Sequence, residues 1–313
     1  MRAKRESKKT GRKEGADSRI MSGIKVFIIA VSMVIIFLGS CIALSLLSPK
    51  GSTDLFGNAV VIERSYSENN EGRIPFLYKY PSSNALVKKG KYPVIILLHG
   101  SLQTSHVWFD GLMPLSNGMK LFRGKAIDSG YVIISADSGK PWAEGKVRCR
   151  LATLCKTWNH GDTADADAPK FADIFAWIQK QPNLDSSRIY FVGFSSGAFM
   201  TSRLMITYPD KIKAGAIHSG VFAEKAPITN GDINLDVTAI DTSRIPNNHP
   251  PTIFIHADQD PRVDPKLSQY YLEALLNKKP NAIYAERYSF ISTVHYWNED
   301  YNDEILNFFN KYN

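Results

Sequence analysis

The five residues Gly193-Phe194-Ser195-Ser196-Gly197 carry the densest chemical signal in the chain. A serine hydroxyl is a weak nucleophile until it is exposed, relieved of its proton and set beside amides that stabilise an oxyanion. A G-x-S-x-G pattern supplies the exposure by placing the serine on a sharp turn between a strand and a helix. The flanking residues fit that setting. Arg188-Ile189-Tyr190-Phe191-Val192 reads as a strand, and Ala198-Phe199-Met200 opens a helix. Glycine two positions before and after the serine keeps side chains from colliding across so tight a turn. The helix N-terminus then directs amides at the developing negative charge. The chemistry implied is acyl transfer through Ser195.

Such a serine needs a base, and in this arrangement an acid and then a histidine follow it along the chain. Histidines stand at 99, 106, 160, 218, 249, 256 and 295, and the last four follow Ser195. His295 ends the loop Ile291-Ser292-Thr293-Val294-His295, between a predicted strand over 282–290 and the last helix, where a base belongs. His218 and His256 sit at strand ends and read as structural, and His249 lies in a proline-rich stretch. Asp258, Asp260 and Asp264 follow the strand that ends near His256, and each is a candidate for the carboxylate that fixes the imidazole tautomer. Two amides are expected to hold the oxyanion. One is the N–H of Ser196; the other is assigned to Ser101, in the loop His99-Gly100-Ser101-Leu102-Gln103, where the small Gly100 lets the backbone approach.

The elements that must position these groups alternate in type. Continuous apolar runs at 94–98, 131–136, 189–192, 214–217 and 252–255 predict strands buried on both faces, and 60–64 and 76–80 predict two short opening strands. Phe171, Ile174, Phe175 and Ile178 fall on one helical face, with Asp167 as the expected N-cap and Pro169 in the first turn. Further helices are expected after Gly197, over 264–277 and over 299–311. This alternation predicts an α/β fold, a mainly parallel sheet with helices on both faces.

With those residues in place the chain resembles the polyhydroxybutyrate depolymerase and feruloyl esterase group of α/β-hydrolases. The resemblance rests on Leu98-His99-Gly100 with Gln103, Trp158-Asn159, Arg188-Ile189-Tyr190 leading into Gly193–Met200, His256-x-x-x-Asp260-x-x-Val263 and His295-x-Trp297. It implies a serine carboxylic ester hydrolase with a Ser195, Asp260, His295 triad. It ranks Asp260 above Asp258, because the family's acid stands four residues after the strand-end histidine. Trp158 and Trp297 become candidate substrate-binding residues. No cofactor or metal is implied, and the partner is a small or oligomeric ester. The chain departs from the family at Ser101, where a Cys is common, and at Thr293-Val294, where glycines are common. A serine peptidase of the same fold and a non-catalytic binding protein on this scaffold are the other function classes to weigh.

Charge and hydropathy place the domain. The net charge of +8 is concentrated at the N-terminus. Residues 1–20 hold Arg2, Lys4, Arg5, Lys8, Lys9, Arg12, Lys13 and Arg19 against Glu6, Glu14 and Asp17, so the body is nearly neutral and gives no sign of nucleic-acid binding. Residues 24–47 form an apolar run long enough to span a bilayer. With the basic tail 1–23 before it, the run predicts an inside N-terminus and an extracytoplasmic body, joined by a linker over 48–58 to a catalytic domain over 59–313. Leu38-Gly39-Ser40-Cys41 leaves a second version open, a lipoprotein acylated at Cys41. In an oxidising compartment Cys149 and Cys155 are spaced to close a small disulfide loop.

Overall fold

The computed structural model describes residues 74, 76–81, 90–110, 117–138, 156–161, 166–221, 242–278 and 285–313, with strand assignments also at 52–53, 59–60, 63–65, 140–141, 143–144 and 147–148. The apolar run 24–47, Cys41, Cys149 and Cys155 lie outside the described residues. Among the described residues no helix is long and apolar enough to cross a membrane. The chain divides into Met1–Val60 and Val61–Asn313.

In the first unit Ser52–Thr53 pairs antiparallel with Ala59–Val60. The strand predicted over 60–64 is therefore two strands: Ala59–Val60 closes that small pair, and Glu63–Ser65 belongs to the main sheet. The expected linker over 48–58 contains the strand Ser52–Thr53.

Among the described residues the main sheet of the second unit has eight strands: β1 (Glu63–Ser65), β2 (Phe76–Lys79), β3 (Tyr92–Leu98), β4 (Val132–Ala136), β5 (Leu184–Phe194), β6 (Ala214–His218), β7 (Thr252–Ala257) and β8 (Ala285–Phe290). Their spatial order is β1-β2-β4-β3-β5-β6-β7-β8. Strands β3 to β8 pair in parallel, while β2 runs antiparallel to both β4 and β1. Side chains of a strand alternate between faces, so a run apolar at every position must be covered twice. In β3, Ile95 and Leu97 face one core and Val94, Ile96 and Leu98 the other.

Helices supply the covers. Helices α1 (Asn117–Asp128) and α5 (Asn302–Lys311) pack Phe122, Ile305 and Phe309 on the first face. Helices α2 (Phe171–Lys180) and α3 (Ser196–Thr207) pack Ile174, Phe175, Met200 and Leu204 on the second, and α4 (Pro265–Lys278) extends that side with Leu267, Tyr271 and Leu275. Each such side chain taken out of water contributes about 1.5–3 kcal/mol. Asp167 does not cap its helix as expected. Its carboxylate instead accepts from the Asn159 amide (2.9 Å) and from Lys170 Nζ (2.8 Å), tying the 156–161 segment to the start of α2.

Candidate active site

The chemistry gathers at the C-terminal ends of β3, β5, β7 and β8, where open α/β sheets bind their ligands. Ser195 follows β5 and carries φ 52° and ψ −119°. A non-glycine residue pays about 1–3 kcal/mol for such a conformation and keeps it only when its surroundings enforce it. Its amide donates to the His218 carbonyl (2.9 Å), and its carbonyl accepts from Ala198 and Phe199 in the first turn of α3. The two glycines are needed for closeness. A Cβ on Gly193 would stand 2.2 Å from the Gly197 carbonyl oxygen, and one on Gly197 would stand 2.3 Å from the Leu98 carbonyl oxygen. The helix start is thus pressed against the end of β3 as well as against its own turn.

Asp260 follows strand β7, and His295 lies in the loop after β8. His295 Nδ1 lies 2.7 Å from Asp260 Oδ2. A carboxylate only accepts, so Nδ1 carries the proton and Nε2 keeps a lone pair. That Nε2 is buried with no hydrogen-bond partner among the described residues. Phe194, directly before Ser195, stacks on the His295 ring with centroids 5.0 Å apart. Asp260 Oδ1 accepts the amides of Arg262 (2.8 Å) and Val263 (3.0 Å). The Val263 carbonyl in turn accepts from His256 Nε2 (3.0 Å), which also stands 3.5 Å from Asp260 Oδ2. The spacing His256-x-x-x-Asp260-x-x-Val263 is therefore a closed loop of hydrogen bonds. Burial alone would raise the Asp260 carboxyl, but hydrogen bonds from His256 and His295, the His295 charge and the Arg262 amide outweigh it, leaving the group far below the usual carboxylate range. Asp258 points elsewhere, half-exposed and 3.7 Å from Arg287.

The expected oxyanion donors are organised by three neighbours. The Ser196 amide occupies the first position of α3, where no intrahelical acceptor exists. The Ser101 amide shares a peptide plane with the Gly100 carbonyl, and His99 Nδ1 donates to that carbonyl (2.8 Å). Buried His99 thus sets which way the Ser101 N–H faces, and its own Nε2 lies 3.1 Å from the Ser138 amide and 3.3 Å from Asp137. Asp137 also binds Lys156 (2.6 Å). Burial raises its carboxyl, but the His99 and Lys156 contacts prevail and lower it.

The two tryptophans expected to bind substrate are both buried. Trp158 is 3% exposed, donates its indole N–H to the His99 carbonyl (2.9 Å) and packs on Phe171. Trp297 is 2% exposed, donates to Asn302 (2.9 Å) and stacks on His218. Both faces of each are spent on the scaffold, because each residue pins a site loop to the core. His218 is structural, as its strand-end position implies: its Nε2 accepts the Asn298 amide (3.0 Å), and burial holds its pKa well below the usual value. Sequence reasoning missed Thr157, which bonds both Ser101 and Ser196 (3.0 Å each). It also missed the His99, Asp137 and Lys156 cluster, since these residues follow no period.

Sheet order, the strained serine after β5, the acid after β7 and the histidine after β8 define an α/β-hydrolase fold. The chain belongs to the esterase PHB depolymerase family, whose description matches residues 76–286. It is 33% identical over 129 residues to feruloyl esterase B of Thermothelomyces thermophilus, covering 41% of this chain and 39% of that protein. It is 28% identical over 148 residues to acetylxylan esterase A of Aspergillus oryzae, covering 46% of this chain and 41% of that one. The matches thus span about two fifths of the length of these curated relatives. The solved acetyl xylan esterase from Aspergillus awamori shares the fold at a TM-score of 0.57 and 15% identity, over 80% of this chain and 98% of that one.

Proposed function

We propose that this protein is a serine carboxylic ester hydrolase working through an acyl-enzyme. The observation that carries the reading is the Asp260–His295 pair at 2.7 Å with Nε2 left unpartnered beside the strained Ser195 turn. His295 Nε2 takes the Ser195 proton as Oγ attacks the ester carbonyl, and the amides of Ser101 and Ser196 receive the negative oxygen. The tetrahedral species collapses, the carbon–alkoxy bond breaks, and His295 returns its proton to the departing alcohol. Water then enters, is deprotonated by the same nitrogen and releases the acid, regenerating Ser195. Asp260 stays ionised throughout and holds the tautomer.

The names of the relatives support esters of plant polysaccharides, feruloyl or acetyl, as substrates, and the family description supports a hydroxyalkanoate ester. The apolar run 24–47 supports a body held outside a membrane, either by an uncleaved anchor or by a lipid on Cys41. The test is labelling with a fluorophosphonate together with turnover of p-nitrophenyl butyrate. Wild type is expected to do both, and Ser195→Ala neither, with kcat reduced by roughly 10⁴-fold or more. A wild type that is inert to both reagents would favour the binding-protein reading, and preference for a peptidyl anilide over the ester would favour the peptidase.

A further inference from the structure

Thr157 lies outside the triad and outside every element that carries it. It belongs to the two-residue strand Lys156–Thr157, which pairs with Lys140–Pro141. Its hydroxyl nevertheless sits between the two residues read as oxyanion donors, 3.0 Å from Ser101 Oγ and 3.0 Å from Ser196 Oγ. The proton directions follow from the ends. The Trp158 amide donates to Ser196 Oγ (3.0 Å), so that oxygen is already an acceptor. Ser196 is buried, and Thr157 is the acceptor its O–H has among the described residues. Thr157 then turns its own proton to Ser101. The result is a one-way chain, Trp158 N–H to Ser196 to Thr157 to Ser101, in which each bond strengthens the next.

The backbone around Thr157 is fixed from both sides. The Leu102 amide donates to the Lys156 carbonyl (2.9 Å), and the Ser138 hydroxyl donates to the Thr157 carbonyl. Leu102 itself takes φ 64°, a left-handed turn that would cost a free loop energy. The Thr157 hydroxyl thereby bridges Ser101 and Ser196, 95 positions apart in the chain, and adds a side-chain link to the backbone packing of Gly197 on Leu98.

We propose that Thr157 is the positioning residue of the oxyanion hole. It touches no substrate; through the Ser101 and Ser196 hydroxyls it braces the two amides at the separation that lets both meet one oxygen, while His99 fixes the direction of the Ser101 N–H. The inference rests on those two amides being the donors. Oxyanion donors act only when they meet the oxygen of the transition state, so slackening their spacing lowers kcat while leaving ground-state binding in place.

The experiment uses the full chain in detergent, as wild type, Thr157→Val and Thr157→Ser. Valine keeps the shape and loses the hydroxyl; serine keeps the hydroxyl. With p-nitrophenyl butyrate, and kcat counted per fluorophosphonate-labelled site, Thr157→Val is expected to lose about 10- to 100-fold in kcat, below the 10²–10³ lost with a whole donor. Its KM should stay within about twofold, and a trifluoromethyl ketone inhibitor should weaken in parallel with kcat. Thr157→Ser should recover most of both. A Thr157→Val enzyme with unchanged kcat per labelled site, or a serine variant as impaired as the valine one, overturns the role of Thr157 while ester hydrolysis stands. A wild type that neither labels nor turns over overturns the hydrolase reading and this role with it.

Discussion

Asp258 and Asp260 stand two residues apart in one loop and meet different surroundings. Asp260 receives two amides on one oxygen and His295 on the other, whereas Asp258 meets Arg287 near solvent. Asp260→Asn offers an amide that donates where the carboxylate accepted, and so favours the wrong imidazole tautomer. Its kcat on p-nitrophenyl butyrate should fall roughly 10³- to 10⁴-fold, while Asp258→Asn should stay within about twofold of wild type. The sign of the pH effect follows from the lowered Asp260 carboxyl. The contribution of its ionised form is complete above the ordinary carboxylate value of about 3.9 and disappears only as pH falls through the depressed folded value. The Asp260–His295 pair should therefore persist in mild acid, which the chemical shift of the His295 Nδ1 proton would report. At this scale the turn at Ser195 and the place of His295 beside a carboxylate were legible because motif and chain order point to them. The acid was legible only through resemblance, since three aspartates share one loop. The burial of Trp158 and Trp297 was not legible, because aromatic residues near a site look alike in sequence whether they face a ligand or the core.

At the level of elements, the turn from β5 into α3 is the tightest joint in the molecule. Gly197→Ala would force a methyl into the Leu98 backbone at 2.3 Å, where neither neighbour is a flexible side chain. The expected outcome is loss of at least about 2 kcal/mol in denaturant unfolding, along with loss of labelling at Ser195. The joint between β6 and α5 responds to pH instead. His218 is buried and neutral, its pKa lowered first by desolvation and then by the charges of His256 and His295, with Asp260 opposing. Below the unfolded value of about 6.5 the unfolded chain takes up a proton that the folded state refuses. Stability is therefore full above that value and falls toward acid at up to about 1.4 kcal/mol per pH unit. His218→Gln should lower the melting temperature at pH 8 yet flatten its decline between pH 6.5 and 5, as calorimetry across that range would show. Strands β3, β4, β6 and β7 were readable within two residues because both faces are apolar. The 60–64 stretch was not, because a single run of strand-forming residues is shared between two pairings and periodicity marks no break.

For the molecule as a whole, the basic tail and apolar run make a claim separable from the chemistry. The full chain should sediment with membranes and resist carbonate extraction, and two arginines placed within 24–47 should release it. Mass spectrometry of the membrane-bound protein separates the two versions: an N-terminus retaining residues 24–47 assigns an uncleaved anchor, and a chain beginning at an acylated Cys41 assigns a lipoprotein. Parallel architecture was legible from the alternation of apolar runs and helices, but the order of strands was not, because it depends on which runs pair across long connections. That order has a consequence for biosynthesis. On the triad proposed above, the Ser195 turn is complete only when β6 supplies the His218 carbonyl, and its base comes from the connection after β8, which Trp297 and the Asn298 amide pin in place. A nascent chain emerging from the ribosome would then stay inert until the segment after its last strand has docked.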